Sequence, residues 1–335
     1  MSPYSEVLLR WFQPHTAAQC LLLNLPDSAV AEACMQRHHK VQHAHFARAQ
    51  HLAHAALNLP ELMFPQTTSA LTDVYWVWPK AKDEALMLLA WLAPQLADDG
   101  QLWIVGHNKG GIKSAPKLLT EQGWQVQKVG SAKHCALLRV RKATTTAVED
   151  FDVSRFWKTT SIPDTALSLW TLPGVFCHGK IDQGSRIFLP HLADLSGPVL
   201  DFGCGGGLLA AVAQTHKPAL EVVATDHHWL AVLSAQRTAS ENGLIYKVVW
   251  SDVLDEVEGR FRTLITNPPF HTGIATDYDI THQLIAGSKD VLLPRARWLA
   301  VVNAHLPYEP WLKQHLNNPK RIEHKNGFDV WEAQR

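Results

Sequence analysis

Short apolar runs alternate with longer amphipathic segments throughout the second half of the chain. The predicted strands cover residues 197–202, 220–224, 247–250, 263–266 and 297–302. Apolar positions at three- and four-residue spacing predict helices over residues 208–214, 229–242 and 280–293. This alternation of strands and helices is typical of an α/β fold, in which helices cover both faces of a mostly parallel sheet.

The first half repeats this order more faintly. A strand that ends in a proline (residues 73–80), a helix (83–96) and a second strand (101–106) follow one another, and the same succession runs over residues 263–302. Trp78 stands in the first copy where the second has Asn267. The repeated plan predicts two tandem Rossmann-like domains that arose by duplication. A chance resemblance between two α/β domains is the alternative at this point.

The clearest break in the pattern is a polar, threonine-rich stretch at residues 141–150. It follows an apolar run at 135–140 that predicts a last strand, and it has neither helical nor strand periodicity. We interpret this stretch as a linker. It predicts an N-terminal domain over residues 1–150 and a C-terminal domain over residues 151–335.

Composition narrows the classes of function. The 335 residues include 31 basic and 31 acidic side chains, and 46% are hydrophobic, which excludes a disordered chain and a purely electrostatic nucleic-acid binder. No apolar run approaches the ~20 residues of a membrane span. The five cysteines form no CxxC pair, and the N-terminus lacks a signal-peptide pattern. We therefore expect a cytoplasmic protein that does not contact a membrane, and we expect it to be a monomer.

A glycine-rich turn, Gly203-Cys204-Gly205-Gly206-Gly207, lies between a predicted strand and a predicted helix. Glycines there permit a tight turn and let the backbone approach a ligand closely. A dinucleotide fingerprint would need a glycine at position 208, where this chain has Leu208. Asp201 would repel a pyrophosphate but would attract the cationic groups of S-adenosylmethionine. The candidate cofactor contacts here are Asp201, Gly203, Cys204, Gly205 and Gly207.

Two further acids follow the next two predicted strands. Asp226 can accept hydrogen bonds from both hydroxyls of a ribose, and Asp252 can accept one from an adenine amino group. Ligands bind at the carboxyl edge of a parallel sheet of this kind. The glycine turn and the two acids together therefore predict a site for a nucleoside cofactor.

The sequence Asn267-Pro268-Pro269-Phe270 follows the next strand and points to methylation of an amine. The Asn267 side-chain oxygen and the Pro268 carbonyl can accept hydrogen bonds from a conjugated amine and aim its weak lone pair at a methyl donor. The prolines fix φ and hold that carbonyl in place. Phe270 can stack on a base taken out of its helix. All four are candidate catalytic residues, and Asn267 is a candidate cofactor contact as well, although such a sequence by itself is also typical of an ordinary turn.

On these residues the second half resembles class I S-adenosylmethionine-dependent methyltransferases with an N-P-P-[FY] motif. The whole chain is similar to the bacterial small-subunit ribosomal RNA guanine-N2 methyltransferases at residues 75–80, 172–176, 200–205, 259–261 and 266–271. The resemblance implies two methyltransferase-like domains with seven-stranded sheets, of which only the C-terminal one keeps its cofactor site. It further implies methylation of guanine 1207 in 16S rRNA on the 30S subunit, with an N-terminal domain that supports folding and RNA binding.

The same resemblance places Phe176 and the turn at residues 182–185 beside the cofactor pocket. The chain departs from the family's pattern after Phe176, where Cys177 stands in place of the more usual small hydroxyl residue. The polar contacts that the family makes at this point are therefore not carried over to Cys177.

Two weaker patterns lie in the first half. Lys109, Lys113 and Lys117 recur every four residues and predict either a solvated helix edge or a stripe that faces RNA phosphates. Histidines crowd residues 38–54, where His39 and His43 have the i,i+4 spacing of a helical metal site. No carboxylate motif accompanies them, so we predict no metal and interpret the segment as a solvated helix face.

Proteins with other functions carry the same motifs or parts of them. An N-P-P-[FY] motif also serves glutamine N5 methylation in release factors and adenine N6 methylation in nucleic acids. A release-factor enzyme more often carries Tyr in the last position and a helical N-terminal domain. A non-catalytic RNA-binding or ribosome-assembly module is disfavoured by the intact Asn267-Pro268-Pro269-Phe270, and an NAD-dependent dehydrogenase by the missing third glycine.

Overall fold

The computed structural model describes residues 1–13, 18–37, 39–44, 64, 69–143, 148–268 and 275–335. By its internal contacts the chain divides into two units, Met1–Phe156 and Trp157–Arg335. The linker expected at residues 141–150 begins too early, because Arg141 and Lys142 still pair within the last strand of the first unit. The domain boundary at residue 150 stays a prediction.

The first unit contains one sheet of six strands within its described residues. The strands are β1 (Gln19–Leu23), β2 (Lys40–Ala44), β3 (Leu71–Val77), β4 (Leu96–His107), β5 (Trp124–Ala132) and β6 (Cys135–Lys142). The helices are α1 (Pro3–Arg10), α2 (Ala29–Met35), α3 (Lys82–Leu92) and α4 (Ala115–Glu121). The order in the sheet is β2-β1-β3-β4-β6-β5, and β6 runs antiparallel to both of its neighbours.

The second unit opens with a two-stranded sheet and continues into a sheet of seven strands. The strands are β7 (Lys158–Ser161), β8 (Ser168–Thr171), β9 (Val199–Phe202), β10 (Val222–Asp226), β11 (Lys247–Trp250), β12 (Phe261–Thr266), β13 (Leu292–Asn303), β14 (Asn317–Lys325) and β15 (Phe328–Gln334). The helices are α5 (Gln183–Phe188), α6 (Leu208–His216), α7 (Trp229–Glu241), α8 (Ala275–Val291) and α9 (Tyr308–His315). The larger sheet has the order β11-β10-β9-β12-β13-β15-β14, with β15 antiparallel to its neighbours.

The two large sheets share their strand order. The two strand orders coincide when each strand of the first sheet is matched with one of the second. The matched pairs are β1 with β9, β2 with β10, β3 with β12, β4 with β13, β5 with β14 and β6 with β15. The α/β class and the tandem arrangement predicted from the sequence are therefore confirmed. The first sheet has six strands in its described part rather than the expected seven, since no strand among the described residues pairs with β2 on the side where β11 pairs with β10. Most of the chain between β2 and β3 lies outside the described residues.

Alternating side chains along the central strands build two apolar layers, one on each face of the second sheet. In β9, Val199 packs into the layer that includes α6, and Leu200 packs into the layer that includes α8 and α9. This alternation follows from the two-residue period of a strand. Asp201 is fully buried on the same face as Val199. The strand therefore carries a carboxylate into an apolar layer at its carboxyl end.

Several predicted boundaries are wrong by a few residues. The helix expected to run to residue 96 ends at Leu92, and β4 begins at Leu96 instead of residue 101. β13 likewise begins at Leu292, before the predicted residue 297. In each strand a single leucine, Leu96 or Leu292, pairs with the neighbouring strand ahead of an irregularity, and continuous pairing starts at Gln101 or Arg297. The apolar run therefore marks the continuously paired part of the strand and misses the residues before it. Among the described residues, no helix has the length and apolar character needed to cross a membrane.

Candidate active site

The glycine turn after β9 adopts a backbone conformation that favours glycine at three positions. Gly203, Gly205 and Gly207 have φ of 67°, 54° and 82°. A Cβ on Gly207 would come within 2.5 Å of the Tyr246 hydroxyl, so this glycine lets α6 pack closely on its neighbours. A Cβ on Gly203 would meet nothing within 4 Å. The turn thus presents bare backbone to open space on one side, as a ligand cradle requires.

Asp201 supplies a buried carboxylate next to this turn. One oxygen, Oδ2, accepts a hydrogen bond from the Ala210 backbone N–H at 3.0 Å, and Oδ1 has no partner among the described residues. Burial raises the pKa of Asp201 to about 7; the Ala210 N–H opposes that rise, and the nearby charge of Asp226 adds to it. An unpaired buried acceptor is costly unless a donor completes it. The site therefore fits a ligand that brings a cationic or N–H group to this point.

We expect the Asp201→Asn variant to lose a pH dependence of the free energy of unfolding that the wild type shows. The unfolded carboxyl loses its proton near pH 4, whereas the folded one keeps it to about pH 7, so stability should fall across this interval. The full shift corresponds to on the order of 4 kcal/mol, and the amide variant should lack this pH dependence. Chemical denaturation of both proteins at pH 5 and pH 8, without cofactor, measures the difference. If the free energy of unfolding changed equally in both proteins between pH 5 and pH 8, the raised pKa of Asp201 would be contradicted.

Asp226 lies at the end of β10 and ties the glycine turn to the next strand. Its Oδ2 accepts from the Gly205 N–H at 2.9 Å, and its Oδ1 accepts from the His228 N–H at 2.8 Å. Burial alone would raise the pKa of Asp226, but the His227 side chain and these two N–H groups outweigh it and lower the pKa. The carboxylate is therefore ionised and fixed in direction, as an acceptor for ribose hydroxyls should be.

The turn after β11 continues the same edge of the sheet. The Ser251 N–H donates to the Asp226 carbonyl at 3.0 Å, which brings Asp252 next to the end of β10. Trp250 donates from Nε1 to the His227 carbonyl at 2.8 Å. His227 and Trp250 thus flank the two acids. The sequence pattern did not single them out, because an aromatic residue at a strand end is as typical of packing as of binding.

Asn267 follows β12 and makes its side-chain contacts with the start of α5. Nδ2 donates to the Ser185 hydroxyl at 2.9 Å and lies 3.4 and 3.5 Å from the two carboxylate oxygens of Asp182. Pro268 is buried. Pro269 and Phe270, the other two candidate catalytic residues, lie outside the described residues. The turn at residues 182–185, which sequence resemblance had placed near the cofactor, lies beside Asn267.

Two other candidates from the sequence occupy contrasting positions. Phe176 is 59% exposed, and its neighbour Val175 lies 3.9 Å from the place of a Cβ on Gly205, so this loop borders the glycine turn. Cys204 is buried, and burial raises the pKa of its thiol. Its backbone N–H is already donated to the Thr225 carbonyl at 3.0 Å. Its carbonyl accepts from the Gly207 N–H at 2.8 Å, so both backbone polar groups of Cys204 already have partners. A cofactor contact by Cys204 stays a prediction.

The weaker patterns of the first half are arranged differently from the expectation. Lys109, Lys113 and Lys117 are all exposed. Because Lys109 lies in a turn, Lys113 in a short 3₁₀ segment and Lys117 in α4, they do not form one helical stripe. The helix face expected around His39 and His43 is wrong where the chain is described, because residues 40–44 form β2. His39 is buried and accepts from the Ala18 N–H at 2.9 Å. His38, His45, His51 and His54 lie outside the described residues.

Four neighbouring strands, β11, β10, β9 and β12, end at this site. A glycine turn, two strand-end acids and an asparagine that faces α5 therefore meet at one carboxyl edge. The family model "Methyltransferase small domain" matches residues 166–332, and "Methyltransferase small domain N-terminal" matches residues 5–160. Fold, site and both models define a methyltransferase with a Rossmann-like catalytic domain.

Named relatives narrow this class. Ribosomal RNA small subunit methyltransferase C of Pseudomonas aeruginosa is 34% identical over the full length of both chains, and that of Pseudoalteromonas translucida is 36% identical over 76% of this chain and 75% of its own. The chain belongs to the ribosomal RNA small subunit methyltransferase C family. The T. thermophilus 16S rRNA N2 G1207 methyltransferase, solved with AdoMet and guanosine, shares the fold with a TM-score of 0.83 at 22% identity. That match covers 100% of this chain and 92% of the other.

Proposed function

We propose that the protein transfers a methyl group from S-adenosylmethionine to the N2 amine of a guanine in 16S rRNA. The observation that carries the proposal is the position of Asn267: its Nδ2 is bound to α5, and it stands at the sheet edge that also holds the glycine turn. Membership of a family named for small-subunit ribosomal RNA methylation supports the substrate. The T. thermophilus relative in fold, solved with AdoMet and guanosine, supports both the cofactor and the base.

Each residue at the strand ends contacts a different part of the cofactor. Backbone groups of the turn Gly203–Gly207 line the cradle, and the unpaired Oδ1 of Asp201 faces the positively charged end of the cofactor. Asp226 accepts from the ribose hydroxyls, and Asp252 accepts from the adenine amine. Phe176 borders the cradle from the loop before α5. S-adenosylmethionine bound here supplies an electrophilic methyl group.

Asn267 and Pro268 position the amine. The N2 lone pair of guanine is delocalised into the ring, so it is a weak nucleophile that gains from being aimed. Hydrogen bonds from its N–H groups to the Asn267 Oδ1 and the Pro268 carbonyl direct it toward the methyl group. Orientation of this kind supplies up to about 7–11 kcal/mol of barrier reduction. Once methylated, the nitrogen becomes acidic and releases its proton to water, so the site needs no strong base.

The finer identity of the substrate is part of the same proposal. We assign the target to guanine 1207, by analogy with the T. thermophilus protein of that name. We assign the substrate form to the 30S subunit, which is the form that the family resemblance implies. We assign a monomer, since one chain contains every site residue named above. Gel filtration with light scattering checks the oligomeric state.

Exposed lysines of the first unit are assigned to the RNA backbone. Lys109 and Lys113 follow the carboxyl end of β4, and Lys117 lies 3.9 Å from Glu121 in α4. We expect replacement of all three by Gln to weaken binding of 16S rRNA and to reduce the slope of log K against log salt by about 2–3 units. Filter binding across a salt series measures both. Lys289→Gln, at the far end of α8, is the control, and an unchanged slope in the triple variant would contradict the assignment.

The decisive experiment is methyl transfer from labelled S-adenosylmethionine to small subunits that lack their own modification, with large subunits and release factors in parallel. Label confined to one N2-methylguanosine in 16S rRNA is the expected result. Label in a release factor would move the function to glutamine methylation, and N6-methyladenosine would move it to adenine. Titration with NAD in place of S-adenosylmethionine tests the dehydrogenase alternative, and we expect no binding.

A further inference from the structure

The side-chain amide of Asn267 can be placed in its pocket in two orientations that differ by a half-turn. One orientation points Nδ2 at α5 and leaves Oδ1 for the substrate, and the other exchanges the two atoms. An amine that donates its N–H groups needs an acceptor opposite it. Only the first orientation can therefore aim the substrate amine, and whatever selects that orientation controls the reaction.

Two side chains at the start of α5 surround Nδ2. The Ser185 hydroxyl accepts from it at 2.9 Å, and the Asp182 carboxylate oxygens lie at 3.4 and 3.5 Å. A hydroxyl can accept or donate, so Ser185 alone would hold the amide in either orientation. An ionised carboxylate only accepts, so it attracts Nδ2 and repels Oδ1. The charge of Asp182 is therefore what distinguishes the two orientations, and Ser185 supplies the shorter hydrogen bond.

We propose that Asp182 and Ser185 are positioning residues that keep the Asn267 amide turned with its oxygen toward the substrate amine. The proposal rests on the proposed function for its chemical consequence, but the orientation itself is a property of this chain. It assigns to the turn at residues 182–185 a role in aiming the acceptor amine, distinct from holding the cofactor.

The turn is itself held in place by contacts that do not involve Asn267. Asp182 caps α5 by accepting the Ser185 N–H at 3.0 Å. Between them, Gly184 has room only for a hydrogen, because a Cβ there would approach the Phe328 ring to 2.9 Å and the Asp182 carboxylate to 3.1 Å. Phe328 begins β15, next to the end of β13. The sheet therefore fixes the turn, and the turn fixes the amide.

The test uses Asp182→Asn, Ser185→Ala and Ser185→Thr in the full chain. Asn is as good a helix cap as Asp, so Asp182→Asn removes the charge and keeps the cap. We expect kcat to fall about 10–100-fold in Asp182→Asn and about tenfold in Ser185→Ala, with Ser185→Thr restoring most of it, while the Kd for S-adenosylmethionine changes by less than about twofold. Adding Asp182→Asn to Asn267→Ala should lower kcat no further, because the two residues act as a unit.

A second readout does not depend on turnover. In protein labelled with ¹⁵N-asparagine, the Asn267 side-chain resonance is identified by its loss in Asn267→Ala. We expect that resonance to shift or split in Asp182→Asn and Ser185→Ala and to stay in place in Gln183→Ala, which changes the same turn without a contact to Asn267. An unchanged resonance in the first two variants would overturn the proposal. So would a raised Kd for S-adenosylmethionine with normal kcat at saturation, since Asp182 would then serve the cofactor.

The two proposals fail in different ways. If the wild-type protein methylates no RNA but the resonance responds as described, the proposed function is wrong and the orienting contact stands. If wild-type activity is normal while both kcat and the resonance are indifferent to Asp182 and Ser185, the function stands and the orienting role is wrong.

Discussion

The Asn267→Ala variant is expected to lose methyl transfer almost completely while it binds S-adenosylmethionine nearly as well as the wild type. The alanine removes the oxygen that accepts from the substrate amine, and loss of one such aligned partner costs on the order of 10²–10³-fold in kcat. The cofactor contacts assigned above lie mostly on β9, β10 and β11, so the Kd should stay within about twofold. Single-turnover methylation of small subunits and calorimetric titration with the cofactor measure the two quantities.

A matched control for this variant is Asn303→Ala. Asn303 ends β13, the strand next to β12, and it is half-buried as Asn267 is. It makes no side-chain contact with α5 among the described hydrogen bonds, so near-normal activity is expected. A common loss of cofactor binding and activity in Asn267→Ala, with Asn303→Ala unaffected, would show that the asparagine serves the cofactor and not the amine.

The Asp226→Ala variant is expected to raise the Kd for S-adenosylmethionine by about 10²-fold or more. Each hydrogen bond between a ribose hydroxyl and a carboxylate contributes about 1.5–3 kcal/mol, and this variant loses two of them. It also frees the N–H groups of Gly205 and His228, which loosens the glycine turn that the cofactor must enter. Turnover at saturating cofactor should recover a large part of the wild-type value.

Asp255→Ala provides the comparison for this second variant. Asp255 is an exposed acid in the turn after β11, close in sequence to Asp252. Its removal changes the charge by the same amount, so it reports the effect of net charge alone on the binding of a cationic cofactor. If Asp226→Ala lowered kcat at saturation and left the Kd unchanged, the ribose assignment would be wrong.

Most of the catalytic unit was predictable from the order of residue types. The central strands and helices of the second sheet, the glycine turn and the acids at strand ends follow from periodicity, because burial on both faces demands continuous apolar runs and a parallel sheet brings its carboxyl ends together. The first and last residues of the strands and helices were less predictable. β4 and β13 each begin with one leucine that pairs ahead of an irregularity, which no apolar run signals. The histidine-rich segment enters a strand where helical spacing had been inferred.

The chain's own sequence thus determined the α/β class, the duplicated plan and the candidate residues for binding and for aiming the amine, since each depends on local spacing and on the chemistry of single side chains. Tertiary structure decided which of those side chains meet. Asp182 and Ser185 are 85 and 82 residues from Asn267 along the chain, and only the packing of α5 against β13, the neighbour of β12, places them around one amide. The same holds for Asp201, whose burial sets its pKa and leaves one oxygen for a partner. Contacts of this kind arise when elements distant in sequence pack against one sheet, so no local pattern in the sequence encodes them.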